Sequence, residues 1–143
     1  MKKQLLSLLT AGVILTGCAS TQIAVEKSND VSSERIYKKE FLTKSEKRTT
    51  PITFVRDSGF VGGGCNHIIS IDNYKVAALK PKESVTIYLE SRDNFVRVET
   101  AASSLCPYAQ TSEMINVLEN VPSSYRIAIT PSLNDALKLI KIN

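Results

Sequence analysis

The chain has 143 residues, with 18 Lys and Arg against 14 Asp and Glu and a formal net charge of +4. This length fits one compact domain with an extension better than it fits two domains. The basic residues form no dense cluster, so the positive charge does not predict a nucleic-acid partner.

The N-terminal stretch has the pattern of an export signal. Lys2 and Lys3 precede a mostly apolar run over residues 5–16. A run of about a dozen residues is shorter than the roughly 20 that a spanning helix needs, but it suits a signal peptide. The run ends in Leu15-Thr16-Gly17-Cys18, which resembles the lipobox of bacterial lipoproteins. The alternative is an ordinary secretory signal cut after Ala19.

The lipobox resemblance implies a defined location. Residues 1–17 would be removed as a lipoprotein signal peptide, and Cys18 would become the new N-terminus with diacylglycerol and palmitate attached. Two acyl chains hold a protein stably on a membrane. Ala19, rather than Asp, follows the cysteine, which resembles an outer-membrane sorting signal. We therefore expect a bacterial envelope lipoprotein, anchored in the outer membrane through Cys18 and facing the periplasm.

Residues 18–50 are predicted to be a lipid-anchored, flexible tether, because they are polar and charged with few apolar anchors. Two short segments interrupt this pattern. Ile23-Ala24-Val25 is compatible with a short strand, and residues 33–42 are compatible with one or two helical turns. The folded domain is expected to occupy residues 51–143.

From Pro51 onward, short apolar runs alternate with polar residues, which predicts strands joined by turns. Asp72-Asn73 is a two-residue hairpin signal, whereas residues 114–121 fit either a strand or a helical face. Arg56-Asp57 is predicted to be a solvated pair of little energetic weight. The pattern favours an all-β fold, a small antiparallel β-sandwich. The core is predicted to contain Val55, Ile69, Ile71, Val76, Leu79, Val85, Ile87, Leu89, Val96, Val98, Ile127 and Ile129.

A second resemblance covers about residues 52–130. Val55-Arg56-Asp57-Ser58-Gly59-Phe60 and the hairpin from Ile69 to Pro81 are similar to a group of small, uncharacterised bacterial lipoprotein domains. This resemblance implies a carboxypeptidase-regulatory-like or transthyretin-like β-sandwich. It brings no activity with it.

The cysteines predict a disulfide. If Cys18 carries lipid, Cys65 and Cys106 remain as a pair in an oxidising compartment. The alternative is two buried free thiols. A bridge that closes a loop of roughly 40 residues would stabilise the fold by about 4 kcal/mol in the chain-entropy model.

Gly62-Gly63-Gly64-Cys65-Asn66-His67 is the most unusual run of the domain. It lacks the Gly-Lys-Ser/Thr ending of a phosphate-binding loop. Cys65 with His67 as base would make a thiol nucleophile, and Cys65, His67 and Cys106 together would give three metal ligands. The favoured interpretation is a freely bending glycine loop beside a disulfide, with His67 at the surface or a strand edge. No catalytic residue, metal or cofactor is therefore predicted.

The functional prediction is a lipid-anchored, non-catalytic binding or accessory module. Its contact surface is expected to combine residues 58–66 with residues 103–110, with Phe60, Asn66 and Tyr108 as candidate binding residues. The expected partner is an envelope protein or a glycan. The alternative is a thiol-dependent enzyme that uses Cys65 and His67.

Overall fold

The computed structural model of the chain describes residues 20–59, 63–130 and 136–143. Cys18, Phe60 and the predicted signal peptide lie outside these residues. Within them, nine strands form two packed sheets. The strands are β1 (Asn29–Asp30), β2 (Thr50–Arg56), β3 (His67–Ile71), β4 (Tyr74–Leu79), β5 (Glu83–Leu89), β6 (Asp93–Thr100), β7 (Gln110–Asn116), β8 (Ser123–Ile129) and β9 (Leu137–Lys141).

One sheet has the order β1-β5-β2-β8-β9, and the other has the order β4-β3-β6-β7. Every neighbour pair in the second sheet is antiparallel. The first sheet also contains two parallel pairs, β1 with β5 and β2 with β8. Inward side chains of both sheets form one hydrophobic core. The predicted small all-β sandwich, dominated by antiparallel pairs, is therefore confirmed.

The core follows from the period-two pattern, because alternate side chains of a strand point to the same face. On β2, Ile52 and Phe54 are fully buried, and the Phe54 ring stacks on Tyr125 with the ring centroids 5.7 Å apart. The residues predicted for the core are buried except Ile129, which is half-buried and packs against the core. Val55 is buried on the opposite face of β2.

Two local predictions concern the second sheet. Asp72 and Asn73 have φ angles of 48° and 69°, which confirms the two-residue turn between β3 and β4. The ambiguous stretch 114–121 is strand as far as Asn116. Ile115 is buried and Met114 is exposed, so the period of two prevails over the helical pattern at this edge of the sheet.

Residues 20–49, which we call the strap, pack on the sandwich and do not form the predicted flexible tether. The strap joins the two sheets across one open side. The Val31 N–H donates to the Ser84 carbonyl on β5 at 3.0 Å, and the Tyr37 N–H donates to the Val76 carbonyl on β4 at 2.8 Å. Because β5 and β4 belong to different sheets, the strap covers the gap between them.

Side chains hold the strap as well. Arg35 donates from Nη2 to Glu83 Oε1 at 2.6 Å and from Nη1 to the Ala78 carbonyl at 3.0 Å. Burial alone would raise the pKa of Glu83, but hydrogen bonds from Arg35 and the Lys80 N–H lower that pKa below its usual value. Three apolar residues of the strap pack against the core, namely Val31, Phe41 and Leu42.

The strap contains three short 3-10 helices, at Val25–Lys27, Ser33–Arg35 and Lys39–Leu42. The strand considered at 23–25 is wrong, because the short strand of the strap is Asn29–Asp30 and Val25 begins a 3-10 helix. Within the described residues, no helix is long and apolar enough to cross a bilayer.

Candidate functional site

The most unusual side chains lie at the end of the sandwich where β2 and β4 finish and β3 begins. We call it the disulfide end; it comprises residues 56–58, 63–67, 79–83 and 100–109. Arg56 joins its parts, because its Nη1 donates to the carbonyl of Leu79 at 2.8 Å and to the carbonyl of Cys65. The opposite end, which we call the turn end, comprises residues 72–73, 90–93 and 117–122.

Cys65 and Cys106 form a disulfide with their Cα atoms 5.7 Å apart, which confirms the predicted pairing. Backbone hydrogen bonds support the same arrangement. The Ala101 N–H donates to the Asn66 carbonyl at 2.8 Å, and the Thr100 N–H donates to the Ala109 carbonyl at 2.8 Å. The loop before β3 and the loop between β6 and β7 are therefore held side by side, as the sequence predicted.

Two ionisable side chains are buried beneath these loops, contrary to the sequence predictions. Arg56 shares the inward face of β2 with Ile52 and Phe54, and it is 1% exposed rather than solvated. His67 shares the inward face of β3 with Ile69, and it is 2% exposed rather than at the surface. The period-two pattern contained this information for His67, which lies two positions from the predicted core residue Ile69. For Arg56 it did not, because the predicted core residue of β2 was Val55 rather than Phe54.

Burial determines the protonation of both groups. Burial, with a smaller contribution from the charge of Arg56, lowers the pKa of His67 to about 3. Burial also lowers the pKa of Arg56, to about 10. At neutral pH His67 is therefore uncharged and Arg56 is a cation that binds backbone carbonyls. The Nδ1 atom of His67 is buried and has no hydrogen-bond partner among the described residues.

This arrangement separates the residues that a thiol enzyme would need. The sulfur of Cys65 is bonded to Cys106, and the uncharged His67 faces the core. Among the described residues, no three His, Cys, Asp or Glu side chains are grouped so that they could hold a metal ion. In this oxidised form, the cluster fixes the shape of the two loops and offers no free thiolate.

Asp57 follows Arg56 and is also buried, although the sequence predicted a solvated side chain. Its carboxylate accepts hydrogen bonds from Arg126 Nε at 2.9 Å and Arg126 Nη2 at 2.7 Å. The hydrogen bond to Asp57 raises the pKa of Arg126. Ser20 Oγ donates to the same carboxylate at 2.9 Å, so Asp57 fixes the first described residue of the strap at the disulfide end.

The surface of the disulfide end contains two large, exposed apolar side chains. Leu105 is 90% exposed and Tyr108 is 67% exposed, with the Tyr108 hydroxyl donating to Gln110 Oε1 at 2.7 Å. Asn66 is half-buried beside them. Of the predicted binding residues, Tyr108 and Asn66 therefore lie at this end, and Phe60 lies outside the described residues. Leu105 lies within the predicted contact range 103–110, but the sequence analysis did not single it out as a binding residue.

The turn end contains a cavity of about 260 Å³. Its charged side chains already have partners: Arg92 binds Asp72 at 2.6 Å and Glu90 at 3.1 Å. The Lys38 ammonium lies 5.7 Å from the centroid of the Tyr74 ring. Because cations and carboxylates alternate around it, the cavity selects no ligand of a single charge. Its lining residues are Lys38, Glu40, Phe41, Arg48, Ile71, Asp72, Tyr74, Leu89, Glu90, Arg92 and Asn94.

Comparisons with protein-family models, with curated proteins and with solved structures found no match for this chain. The resemblance to a lipobox and the resemblance to carboxypeptidase-regulatory-like domains therefore stay predictions. The all-β sandwich and the disulfide are features of the structure itself.

Proposed function

We propose that the chain is a lipid-anchored, non-catalytic module of the bacterial envelope that works by surface contact through its disulfide end. The observation that carries this proposal is the Cys65–Cys106 bond. The bond occupies the sulfur of Cys65, the one nucleophile that the sequence suggested. It also holds the loop before β3 and the loop between β6 and β7 together as a single surface. His67, the candidate base, is buried and uncharged beneath that surface.

Rigidity supports a role in contact. A surface that is already ordered loses little conformational entropy when it binds. Arg56 holds the loop before β3 through the Cys65 carbonyl and ties it to the end of β4 through the Leu79 carbonyl, and the disulfide joins this loop to the loop between β6 and β7. Leu105 and Tyr108 supply exposed apolar area on top of this support. An envelope protein or a glycan is the partner class that the sequence suggested for such a surface.

The anchor is the second part of the proposal. The lipobox-like Leu15-Thr16-Gly17-Cys18 supports lipidation at Cys18, with the domain on the periplasmic side of the outer membrane. A diacylated cysteine is a lasting anchor, because two acyl chains are needed for stable membrane attachment. A module held in this way acts at the membrane surface that carries its anchor.

Fractionation and labelled palmitate test the anchor. We expect the wild-type chain to take up the label and sediment with membranes, and Cys18→Ser to lose both properties. Cys106→Ser is the control for the loss of another cysteine: it breaks the disulfide but leaves the lipobox intact, so it should keep the label and sediment with membranes. Membrane attachment of Cys18→Ser, together with an unlabelled wild type, would contradict the anchor.

In-cell photocrosslinking tests the contact surface. A photoreactive residue at position 108 is expected to give a reproducible adduct, whereas the same residue at the exposed Met114 on β7 should not. The enzyme alternative makes a different prediction: a thiol-dependent turnover that Cys65→Ser abolishes in a folded protein. Such an activity would replace the contact proposal.

A further inference from the structure

We infer that the disulfide end lies directly on the bilayer that holds the anchor, with Leu105 and Tyr108 in its headgroup region. This inference rests on the proposed lipid anchor at Cys18. It names the phospholipid surface as what the disulfide end contacts. At this end of the module, the phospholipid surface thus takes the place of the protein or glycan that the sequence suggested.

The strap begins at the disulfide end. The Ser20 N–H donates to the Ile129 carbonyl at 3.4 Å, and the Ile129 N–H donates to Ser20 Oγ at 3.2 Å. Thr21 is fixed as well, since its N–H donates to the Ser58 carbonyl at 2.7 Å. Together with the Ser20–Asp57 hydrogen bond, these contacts fix the strap to the disulfide end from its first described residue.

The chain between the strap and the proposed lipid anchor is short. Only Ala19 stands between Ser20 and Cys18. Two residues span at most about 7 Å even when fully extended. A diacylglycerol on Cys18 therefore lies within about 7 Å of Ser20 along the chain. A flexible tether of 30 residues would have let either end approach the bilayer, whereas the docked strap keeps the disulfide end next to the lipid.

The turn end is separated from the anchor by the length of the strands. A seven-residue strand such as β2 is about 20 Å long. With Ser20 close to the lipid, the turn end and its cavity lie about that far from the bilayer surface. The two ends therefore differ in depth by a distance that spectroscopic probes resolve.

The side chains of the disulfide end suit a headgroup region. Leu105 provides an exposed apolar group, and tyrosines such as Tyr108 favour membrane interfaces because the ring is apolar and the hydroxyl is polar. Lys80 and Lys82 are exposed on the β4–β5 turn at the same end, where the Lys82 N–H donates to the Arg56 carbonyl at 3.1 Å. Lysines near a bilayer surface are attracted to anionic phospholipids.

Exposure of apolar side chains does not by itself select this end. Leu118 is 59% exposed and Val121 is 51% exposed, and both lie at the turn end. The position of Ser20 makes the choice, because the anchor cannot reach the turn end while the strap is docked. Leu118 is therefore a matched control for Leu105.

Tryptophan fluorescence gives a direct test, because the chain contains no Trp. The full chain is produced with its lipid, carrying Leu105→Trp or Leu118→Trp, and reconstituted in vesicles of phosphatidylethanolamine and phosphatidylglycerol. Some of the phospholipid carries brominated acyl chains, which quench indole at short range. We expect a blue-shifted and quenched emission from the indole at position 105, and an unshifted, unquenched emission from the indole at position 118.

Mass spectrometry of the N-terminal peptide separates the two ways of failing. If Cys18 carries lipid and the two indoles are quenched alike, or only position 118 is quenched, the placement is overturned but the anchor stands. If Cys18 carries no lipid, the proposed function fails and the placement fails with it. Tyr108→Trp is a second reporter at the disulfide end, and it must behave like Leu105→Trp. A position-105 crosslink to a protein or glycan instead of lipid would also overturn the placement.

Discussion

Arg126 holds the carboxylate of Asp57 through Nε and Nη2, at 2.9 and 2.7 Å, although only 1% of the Asp57 side chain is exposed. The pair joins the end of β2 to its parallel neighbour β8. Because Ser20 binds the same carboxylate, one ion pair connects both the sheet and the strap. Loss of this ion pair should therefore destabilise both the first sheet and the strap.

Replacing Arg126 tests that connection. Arg126→Met keeps the aliphatic part of the side chain but leaves the buried Asp57 carboxylate without its cation. Removing one partner of a buried pair costs about 3–5 kcal/mol, so the free energy of unfolding in denaturant should fall by about that amount. The control is Arg92→Met, which removes two solvent-exposed ion pairs, with Asp72 and Glu90, each worth at most about 1 kcal/mol. Equal losses in the two variants would contradict the buried role of Asp57.

The pH dependence of stability should follow His67. Its pKa is about 3 in the fold and about 6.5 in the unfolded chain. Between these values the unfolded chain binds more protons than the folded chain. The stabilisation that comes from the neutral His67 is therefore fully present above about pH 6.5, and the free energy of unfolding falls as the pH is lowered below that value. The loss approaches about 1.4 kcal/mol per pH unit.

Denaturant unfolding between pH 7 and pH 5 measures this slope, in a window that lies above the titration of most carboxylates. His67→Gln should flatten the slope, whatever its effect on absolute stability, because the chain contains no other histidine. An unchanged slope in the variant would show that another group is responsible.

The disulfide should contribute substantially to stability. Cys65 and Cys106 are separated by 41 positions, and a loop of that length corresponds to about 4 kcal/mol in the chain-entropy model. We expect reduction to lower the denaturation midpoint, and Cys65→Ala with Cys106→Ala to abolish the effect of the reductant. Intact mass after alkylation provides the check on pairing. Two alkylatable thiols in the unreduced chain, measured with Cys18 replaced by Ser, would contradict the bond.

The strap should be a cooperative part of the fold. Arg35→Ala removes the ion pair with Glu83 and the hydrogen bond to the Ala78 carbonyl. We expect faster amide hydrogen exchange at Val31 and Tyr37, whose N–H groups bind the two sheets. Exchange within β6 should not change. If Val31 and Tyr37 already exchange at the rate of an unfolded peptide in the wild type, the strap is a tether after all.

Core truncation gives the simplest test of the sandwich. Ile87 is fully buried on β5, and Ile87→Ala should cost about 2–5 kcal/mol. Ile140 on β9 is 37% exposed, so Ile140→Ala should cost clearly less. Denaturant unfolding compares the two. Similar losses would mean that Ile87 is not buried in the core.

The sequence predicted the sandwich because alternation, turns and the core belong to the same local pattern. Ile87 and Val98 were identified as core residues since their polar neighbours alternate with them, and Asp72-Asn73 was identified from turn chemistry alone. The Cys65–Cys106 bond followed from cysteine counting. These features need no knowledge of which strands become neighbours.

The missing parts depend on long-range contacts. Arg56 was predicted to be solvated and His67 to lie at the surface or a strand edge, because charged residues are seldom buried. The spacing of His67 from Ile69 placed it inside, whereas Val55, the predicted core residue of β2, placed Arg56 on the other face. The strap was predicted to be flexible because its anchors, such as Phe41, are few and far apart. Their partners come from strands that follow later in the chain. The parallel pairing of β2 with β8 could not be read from either strand alone.

The docked strap also determines how the module would respond to a mechanical load. A pull transmitted through Cys18 would first break the contacts of Ser20 and Thr21, and then the remaining contacts of the strap one after another. Full release of residues 20–49 would free 30 residues, a chain that extends to about 100 Å. If the proposed lipid is present on Cys18, the same segment would be a short attachment at rest and would lengthen to this extent under tension.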